Sequence, residues 1–486
     1  MKRKLAAILV LVMLLLCAAS CTGPAPVTPT DASGNPVTTA APLPQVQGPT
    51  DSLTISGGPY TDNLLAPAIT IFKQQYPNVT VNYTPFDDSS VATNYAQYQQ
   101  TIQTELQAGT GPDVLVFNDE SPFQDLYKTM DTGAFCDLNG YIANDPGFDM
   151  SQYNQTVMNA GVYDGKRYMI PLDYYVPIWM SSQENLTNAG FDFSDLSTFD
   201  GMTGAIQKYY SDNASPEYLL FNGGDFTAPG FLSTFGVPVI DRAKKTVDVD
   251  SAAFKTIMDM EKAAYNSQTA QYNADYIDMG NGFYTTKVGV GNGDGAESIL
   301  NRKNLFFMGE YSLFSTFCQE YGGVLHSETP VLFAVPNPSG GSTAQLDMMS
   351  MVPAASNNQS NAYAFIKILL SDLIQNDTTI YSLGGAPVLT SAIDNRLTAA
   401  LGKFMPPKTT SMTLADGITT LVIDPMQQKT IADIEAMLSN VTFCQIDTTS
   451  MYTFFQTDMT PYFTGVSDYA TCLAKLKNDL ELYVSE

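Results

Sequence analysis

Aromatic rings set beside carboxylates, just past the ends of apolar runs, are the residues of this chain best placed to do chemistry. Val114-Leu115-Val116-Phe117 runs into Asn118-Asp119-Glu120, and Leu53-Thr54-Ile55 is followed through Gly57-Gly58 by Tyr60. A flat ring covers apolar C–H patches of a ligand, while carboxylates and amides pair with its hydroxyls. Such a set suits neutral polyols or cations and disfavours phosphorylated solutes. The chain holds 27 Tyr and 26 Phe but a single Trp, so these are the rings on offer, and most of them must serve the core.

Bond-breaking chemistry has little support. His326 is the only histidine, which leaves no pair for a His-based zinc site. There is no GxSxG elbow, SxxK or HExxH. A glycosidase would need only two carboxylates about 5 to 10 Å apart, but no pattern singles out such a pair among 49 acidic residues. Gly289-Val290-Gly291-Asn292-Gly293-Asp294-Gly295 lacks the spacing of a calcium loop and reads as a surface loop. The expectation is therefore no catalytic residue, no metal and no cofactor.

A length of 486 residues exceeds what one core usually organises and points to two lobes. With 44% hydrophobic residues, the chain has ample material for a packed interior. Its net charge of −26 falls further if the basic start is removed, which argues against nucleic acid as a partner.

That basic start, Lys2-Arg3-Lys4, precedes an apolar run from Leu5 to Leu16 and the small residues Cys17-Ala18-Ala19-Ser20. The run is too short for a permanent membrane span and reads as an export signal over residues 1–20. Ala18-Ala19-Ser20-Cys21 resembles a lipobox, which implies a lipid thioether on Cys21, with palmitate-type acylation. Residues 22–50 carry seven prolines and one charge, Asp31, and read as a tether reaching up to roughly 90 Å at about 3.1 Å per residue. Cys136, Cys318, Cys444 and Cys472 remain after processing; four cysteines allow three pairings, and free buried thiols are an equal possibility.

From Ser52 onward the pattern is strand, helix, strand, helix, strand. Leu64, Leu65, Ala68, Ile69 and Phe72 share one helical face ended by Pro77, Val79-Val81-Tyr83 alternate, and residues 95–108 are helix-compatible up to Gly109. This is the order of a doubly wound α/β lobe, whose ligand contacts lie past the carboxyl ends of the strands. Tyr168–Leu172 and Val176–Met180 are extended, with Trp179 read as packing. Asn361–Leu370 and the segment from Ser467, its expected N-cap, are helices.

These pieces, in this order, resemble extracellular solute-binding protein family 1 of the ABC importers, the group of maltose- and oligosaccharide-binding proteins. The resemblance rests on Phe72-Lys73-Gln74-Gln75-Tyr76-Pro77-Asn78-Val79-Thr80-Val81, Ala108-Gly109-Thr110-Gly111-Pro112-Asp113-Val114, Asp164-Gly165-Lys166-Arg167-Tyr168-Met169-Ile170-Pro171, the helix from Ser356 to Ser371 with Gly384-Gly385-Ala386-Pro387 after it, and Tyr462-Phe463-Thr464-Gly465 to Glu486. The family's YNK after the crossing is Ser181-Ser182-Gln183 here.

The resemblance implies an α/β, two-lobe periplasmic-binding-protein-like fold of type II, each lobe a doubly wound sheet, with a ligand cleft between lobes that close about a hinge. The first lobe would hold 51–171 and 345–395, and the second 172–344 and 396–486. It adds Glu120 beside Phe117, the post-crossing residues Asp173, Tyr174 and Tyr175, the loop acid Asp225 and the stacking ring Tyr452 to Tyr60 as expected ligand contacts. The implied protein is a monomeric, lipid-anchored receptor on the outer face of the cytoplasmic membrane, which passes a sugar to an ABC permease. A polyamine, peptide or other solute in the same fold is the alternative; an extracellular glycoside hydrolase is the remaining one.

Overall fold

The computed structural model describes residues 51–485, apart from 119–121, 124, 214–215, 221–227, 281–282, 287–295, 302, 311–314, 381–382, 406, 414–419 and 447–450. The expected signal, Cys21, the tether, Glu120, Asp225 and the Gly289–Gly295 loop lie outside the described residues.

In chain order the main elements are β1 (Ser52–Gly57), α1 (Asp62–Gln75), β2 (Thr80–Tyr83), α2 (Val91–Ala108), β3 (Val114–Phe117) and α3 (Leu126–Asp131). They continue with β4 (Met169–Pro171), β5 (Asp173–Tyr175), β6 (Pro177–Ser182), α4 (Phe199–Asp212), α5 (Ala228–Thr234) and α6 (Ala252–Asp275). After these come β7 (Phe307–Glu310), β8 (Pro330–Ala334), β9 (Ser342–Leu346), β10 (Met349–Met351) and α7 (Gln359–Leu369). The last are β11 (Ala386–Pro387), β12 (Val441–Gln445), α8 (Tyr452–Asp458) and α9 (Tyr469–Ser485).

The first sheet has the order β2-β1-β3-β10-β4. β1 runs parallel to β2 and β3, while β10 runs against β3 and β4, so β4 points the same way as β3. All four parallel strands therefore end on one carboxyl edge. α1 lays Leu64, Leu65, Ala68, Ile69 and Phe72 on this sheet, as its spacing dictates. α2 ends because Gly109 takes φ +68, a left-handed conformation cheap only for glycine, and its amide caps the carbonyls of Glu105 and Leu106. Asp113, next in that motif, accepts from the Thr54 amide at 2.7 Å and the Ser356 hydroxyl at 2.6 Å, joining β1, β3 and the approach to α7.

Strand β6 divides the interior by simple alternation. Ile178 packs into the first core, with β1, β3, β10 and α7, while Trp179 faces the second core. There its ring meets Phe306, Phe235 and Phe231 at 5.2, 5.5 and 6.5 Å, and it is fully buried, as its apolar neighbours suggest. Where a doubly wound sheet is expected around this core, the described strands instead form β7-β6-β8, with both outer strands antiparallel to β6. A third sheet, β11-β5-β9-β12, packs into the first core through Tyr174, Ala344, Leu346, Ala386 and Val441, and its β5 and β9 belong to the crossings.

α9 is capped one residue later than expected. The Asp468 carboxylate, rather than Ser467, accepts from the Thr471 amide at 2.9 Å, since a carboxylate is the stronger acceptor for a free amide. Cys136, Cys444 and Cys472 are free thiols.

Candidate functional site

The carboxyl edge of the first sheet presents a shelf of rings. β1 closes against β3 through the Gly58 amide, which donates to the Val116 carbonyl at 2.9 Å, and the Thr61 hydroxyl donates back to Gly58 at 2.7 Å. Between them Tyr60 sits at φ 59, a left-handed conformation that costs an L-residue about 1–2 kcal/mol. Its amide donates to Asp88 Oδ1 at 3.0 Å, and its side chain stands in solvent at 54% exposure. Strain of this kind persists only where the surroundings enforce it.

The loop after β2 supplies that enforcement. The Asp87 carboxylate accepts from the Ser89 amide at 3.0 Å, and the Asn94 side chain donates to the Asp87 carbonyl at 2.8 Å. Hydrogen bonds from Ser89 hold the Asp87 carboxyl below its ordinary range. At the end of β2 the Tyr83 hydroxyl donates to Asp62 at 3.1 Å; burial first, then the Asp62 charge, raises its pKa, so it stays a neutral donor. Tyr98 on α2 lies 3.5 Å from the Ser56 hydroxyl, is pushed up to about 12 by burial, and meets Phe86 edge-on at 5.6 Å and Tyr95 nearly parallel at 6.1 Å.

Directly after β3, Asn118 has a buried Oδ1 with no hydrogen-bond partner among the described residues. A buried acceptor without a donor is costly in a closed fold and natural where a ligand hydroxyl would supply one. Segments 56–62 and 83–98 contribute three carboxylates, Asp62, Asp87 and Asp88, and no Lys or Arg.

At the crossing the expected contacts separate. Asp173 is fully buried, with Oδ1 accepting from the Met348 amide at 2.8 Å and Oδ2 from the Gly385 amide at 2.9 Å. Both oxygens serve the fold, bracing β5 to the turn before β10 and to the loop before β11; burial pushes this carboxyl up to about 7. Tyr174 is also enclosed, its hydroxyl donating to the Leu438 carbonyl at 3.3 Å. Tyr175 differs. Its hydroxyl donates to Gln345 Oε1 at 2.5 Å, and Gln345 Nε2 donates in turn to Ser233 Oγ at 3.0 Å, at the end of α5. Gln445 Nε2 reaches the same hydroxyl at 2.9 Å. This polar chain links first-core and second-core elements across the crossing.

Phe117 is buried completely, edge-on to Phe123 at 6.0 Å, so its ring belongs to the core. The last residue of a strand points to one face of its sheet, and here that face is covered. Tyr452 opens α8, and its side chain is outside what the structure describes. The structure thus leaves Tyr60 exposed at the carboxyl edge, where β3 also ends before Asn118, and turns Phe117, Asp173, Tyr174 and Tyr175 inward. Tyr83, Asp88 and Tyr98 were not anticipated. The strand-end rule applied to β2, as it was to β1 and β3, would have found the first two.

A groove of about 820 Å³ opens elsewhere, on the opposite, amino edge, between the end of α2, α3 and residues 353–356. Its walls include Gly109, Pro112, Pro353 and Ala354, and its Gln103 side chain is already committed to the Pro122 carbonyl at 3.0 Å. The polar convergence lies at the carboxyl edge. Among the described residues no group of three or more metal-ligating side chains occurs, and no helix is long and apolar enough to cross a membrane.

Residues 68–406 match the sequence profile of a family described as bacterial extracellular solute-binding protein. No curated protein matches the chain. Among solved structures it is similar to the sugar-binding protein MalE of Xanthomonas citri, with a TM-score of 0.60 and 13% identity over 89% of this chain and 97% of that one. It is similar to the cyclic alpha-maltosyl-1,6-maltose binding protein of Arthrobacter globiformis, with a TM-score of 0.54 and 14% identity over 90% and 99%. It is also similar to an ABC substrate-binding protein of Listeria monocytogenes in complex with cycloalternan, with a TM-score of 0.52 and 15% identity over 89% and 98%. At these identities the likeness is one of fold, of the two-lobe type II binding proteins.

Proposed function

From the premise that this chain belongs to the bacterial extracellular solute-binding proteins, we propose that it captures a carbohydrate, most simply an oligosaccharide, and hands it to an ABC permease without making or breaking bonds. The observation that carries this reading lies at the carboxyl edge, where β1 leads to an exposed ring, Tyr60, in a costly backbone conformation and β3 leads to Asn118, whose buried Oδ1 has no partner among the described residues. A ring face and a lone acceptor fit a sugar's C–H patches and hydroxyls. The three solved neighbours named above carry saccharides or sugar binding in their descriptions, which agrees with it.

In this reading the lobes are 51–171 with 345–395 and 172–344 with 396–486, hinged near Pro171 to Asp173. Cys21 carries the lipid that holds a monomer at the outer face of the membrane. Glu120, Asp225 and Tyr452 are further ligand contacts in this reading.

A second reading, a cationic solute such as a polyamine, has its own observation: three carboxylates and no Lys or Arg along the edge segments. Thermal-shift measurements on the processed chain separate the two, because a ligand that binds only the folded state raises its melting temperature. Stabilisation by neutral oligosaccharides supports the first reading. Stabilisation by spermidine with silence from every sugar replaces it with the second.

A further inference from the structure

At the crossing, three strands bring polar side chains into one row. Gln345 of β9 stands opposite Tyr175 of β5 on one side and opposite Gln445 of β12 on the other. Successive residues of a strand face opposite sides of its sheet. Tyr174, Ala344 and Leu346 pack into the first core, so the row stands on the other face, where it meets Ser233 of α5, a helix whose Phe231 and Leu232 belong to the second core. β4 ends at the carboxyl edge and leads through Leu172 into β5, so the row starts from the edge that carries Tyr60.

The bonds along this row fix the direction of one proton. The Tyr175 hydroxyl donates to Gln345 Oε1 at 2.5 Å, which turns Gln345 Nε2 toward Ser233 Oγ at 3.0 Å. From the other side Gln445 Nε2 donates to Ser233 Oγ at 2.9 Å and to the Ser233 carbonyl at 2.8 Å. A hydroxyl oxygen has two lone pairs and one proton. Both lone pairs of Ser233 Oγ are taken, so this hydroxyl can only donate, and among the described residues nothing accepts its proton. Gln445, with its nitrogen committed twice, keeps an Oε1 that no donor among the described residues reaches. Tyr175 and Gln345 are closed in, at 8% and 6% exposure, whereas Ser233 and Gln445 are only half-buried. The row therefore runs from an enclosed end to an open one, where one donor and one acceptor stand a single amide apart.

We propose that the Ser233 hydroxyl and Gln445 Oε1 form a polar subsite that takes a hydroxyl, or two neighbouring hydroxyls, of a neutral saccharide, with Tyr175 and Gln345 as its positioning residues. The inference rests on the carbohydrate reading above and deepens it. A sugar hydroxyl accepts and donates at once, so it satisfies both members of the pair. An ammonium group only donates and leaves the Ser233 proton without an acceptor, and a fully ionised phosphate oxygen only accepts and leaves Gln445 Oε1 without a donor. Since an unmade bond in a closed site costs more than a made one contributes, the pair selects a neutral polyol over a polyamine.

Calorimetry on the processed chain with maltotriose, mannotriose and cellotriose tests it, with the fluorescence of Trp179 reporting folding. Ser233→Ala deletes the donor and is expected to weaken binding of the trisaccharide that wild type prefers by about tenfold. Gln345→Glu keeps the side chain's shape but puts an acceptor where Nε2 stood, which turns the Ser233 proton inward; it is expected to weaken binding by a similar factor. The double variant should lose no more than either single one, because both remove the same donor, whereas a row that serves packing alone gives losses that add. Gln445→Met, which deletes the acceptor, should bind several-fold more weakly and carries the test if Gln345→Glu does not fold. Folded variants that bind like wild type overturn the subsite and leave the carbohydrate reading in place, as do additive losses. Wild type that binds none of the three trisaccharides counts against the carbohydrate reading, and the subsite falls with it.

Discussion

The Tyr60 amide and the Asp88 carboxylate, 3.0 Å apart, join the loops that leave β1 and β2. Through that contact an aromatic ring is held in solvent on a left-handed backbone, at the carboxyl edge of the four parallel strands. Conformational cost and the proposed ligand contact coincide in one residue, so substitution can separate them.

Tyr60→Gly removes the left-handed penalty together with the ring. Its melting temperature is expected to equal or exceed wild type, while affinity for the bound solute falls about tenfold, the worth of one aromatic stack of about 1–2 kcal/mol. Calorimetry and thermal melts on the same preparation check both halves. A stable variant with full affinity would remove Tyr60 from the site.

Phe117→Ala should behave in the opposite way. Its ring is wholly buried against Phe123, so truncation costs about 3–5 kcal/mol of stability through transfer and cavity terms. Trp179→Ala in the second core is expected to cost a similar amount. Urea unfolding measures this, and a Phe117→Ala protein of wild-type stability that has lost binding would return that ring to the cleft.

Asp173 predicts a pH dependence. Burial raises its folded pKa to about 7, above the ordinary carboxylate value of about 3.9. Between those values the folded state holds a proton that the unfolded state releases. The stabilisation is therefore complete below about pH 4 and is lost as pH climbs through 7, at up to about 1.4 kcal/mol per unit. Asp173→Asn, which cannot ionise, should lose less stability than wild type between pH 5 and pH 7.5. Parallel slopes for the two proteins in denaturant titrations would contradict this.

Lipidation at Cys21 is testable without any ligand. The membrane fraction should yield a chain beginning at Cys21 with the mass of a diacylglyceryl adduct, and Cys21→Ala should lose firm attachment. Intact-mass analysis and cell fractionation provide the readouts, and a firmly bound Cys21→Ala protein would count against the anchor.

Much of this protein was legible in its residues because local rules suffice there. The apolar spacing of Leu64 to Phe72, the Gly109 turn, the continuous run of β3 and the apolar setting of Trp179 each announce an element or a burial from neighbours a few residues away. The strand-end rule likewise led to Tyr60. What neighbours along the chain cannot tell is which way a side chain faces once distant strands close on it. Asp173 became a brace because the amides of Met348 and Gly385, some two hundred residues later, fold onto its two oxygens. Phe117 went inward because Phe123 and the strands flanking β3 cover its face, and Tyr60 stayed outward because Asp88, 28 residues on, clamps its backbone. The pairing of Arg242 with Asp125 spans 117 positions and has no local signature at all. Periodicity is a property of adjacent residues, whereas the partner that satisfies a buried charge is chosen by tertiary packing.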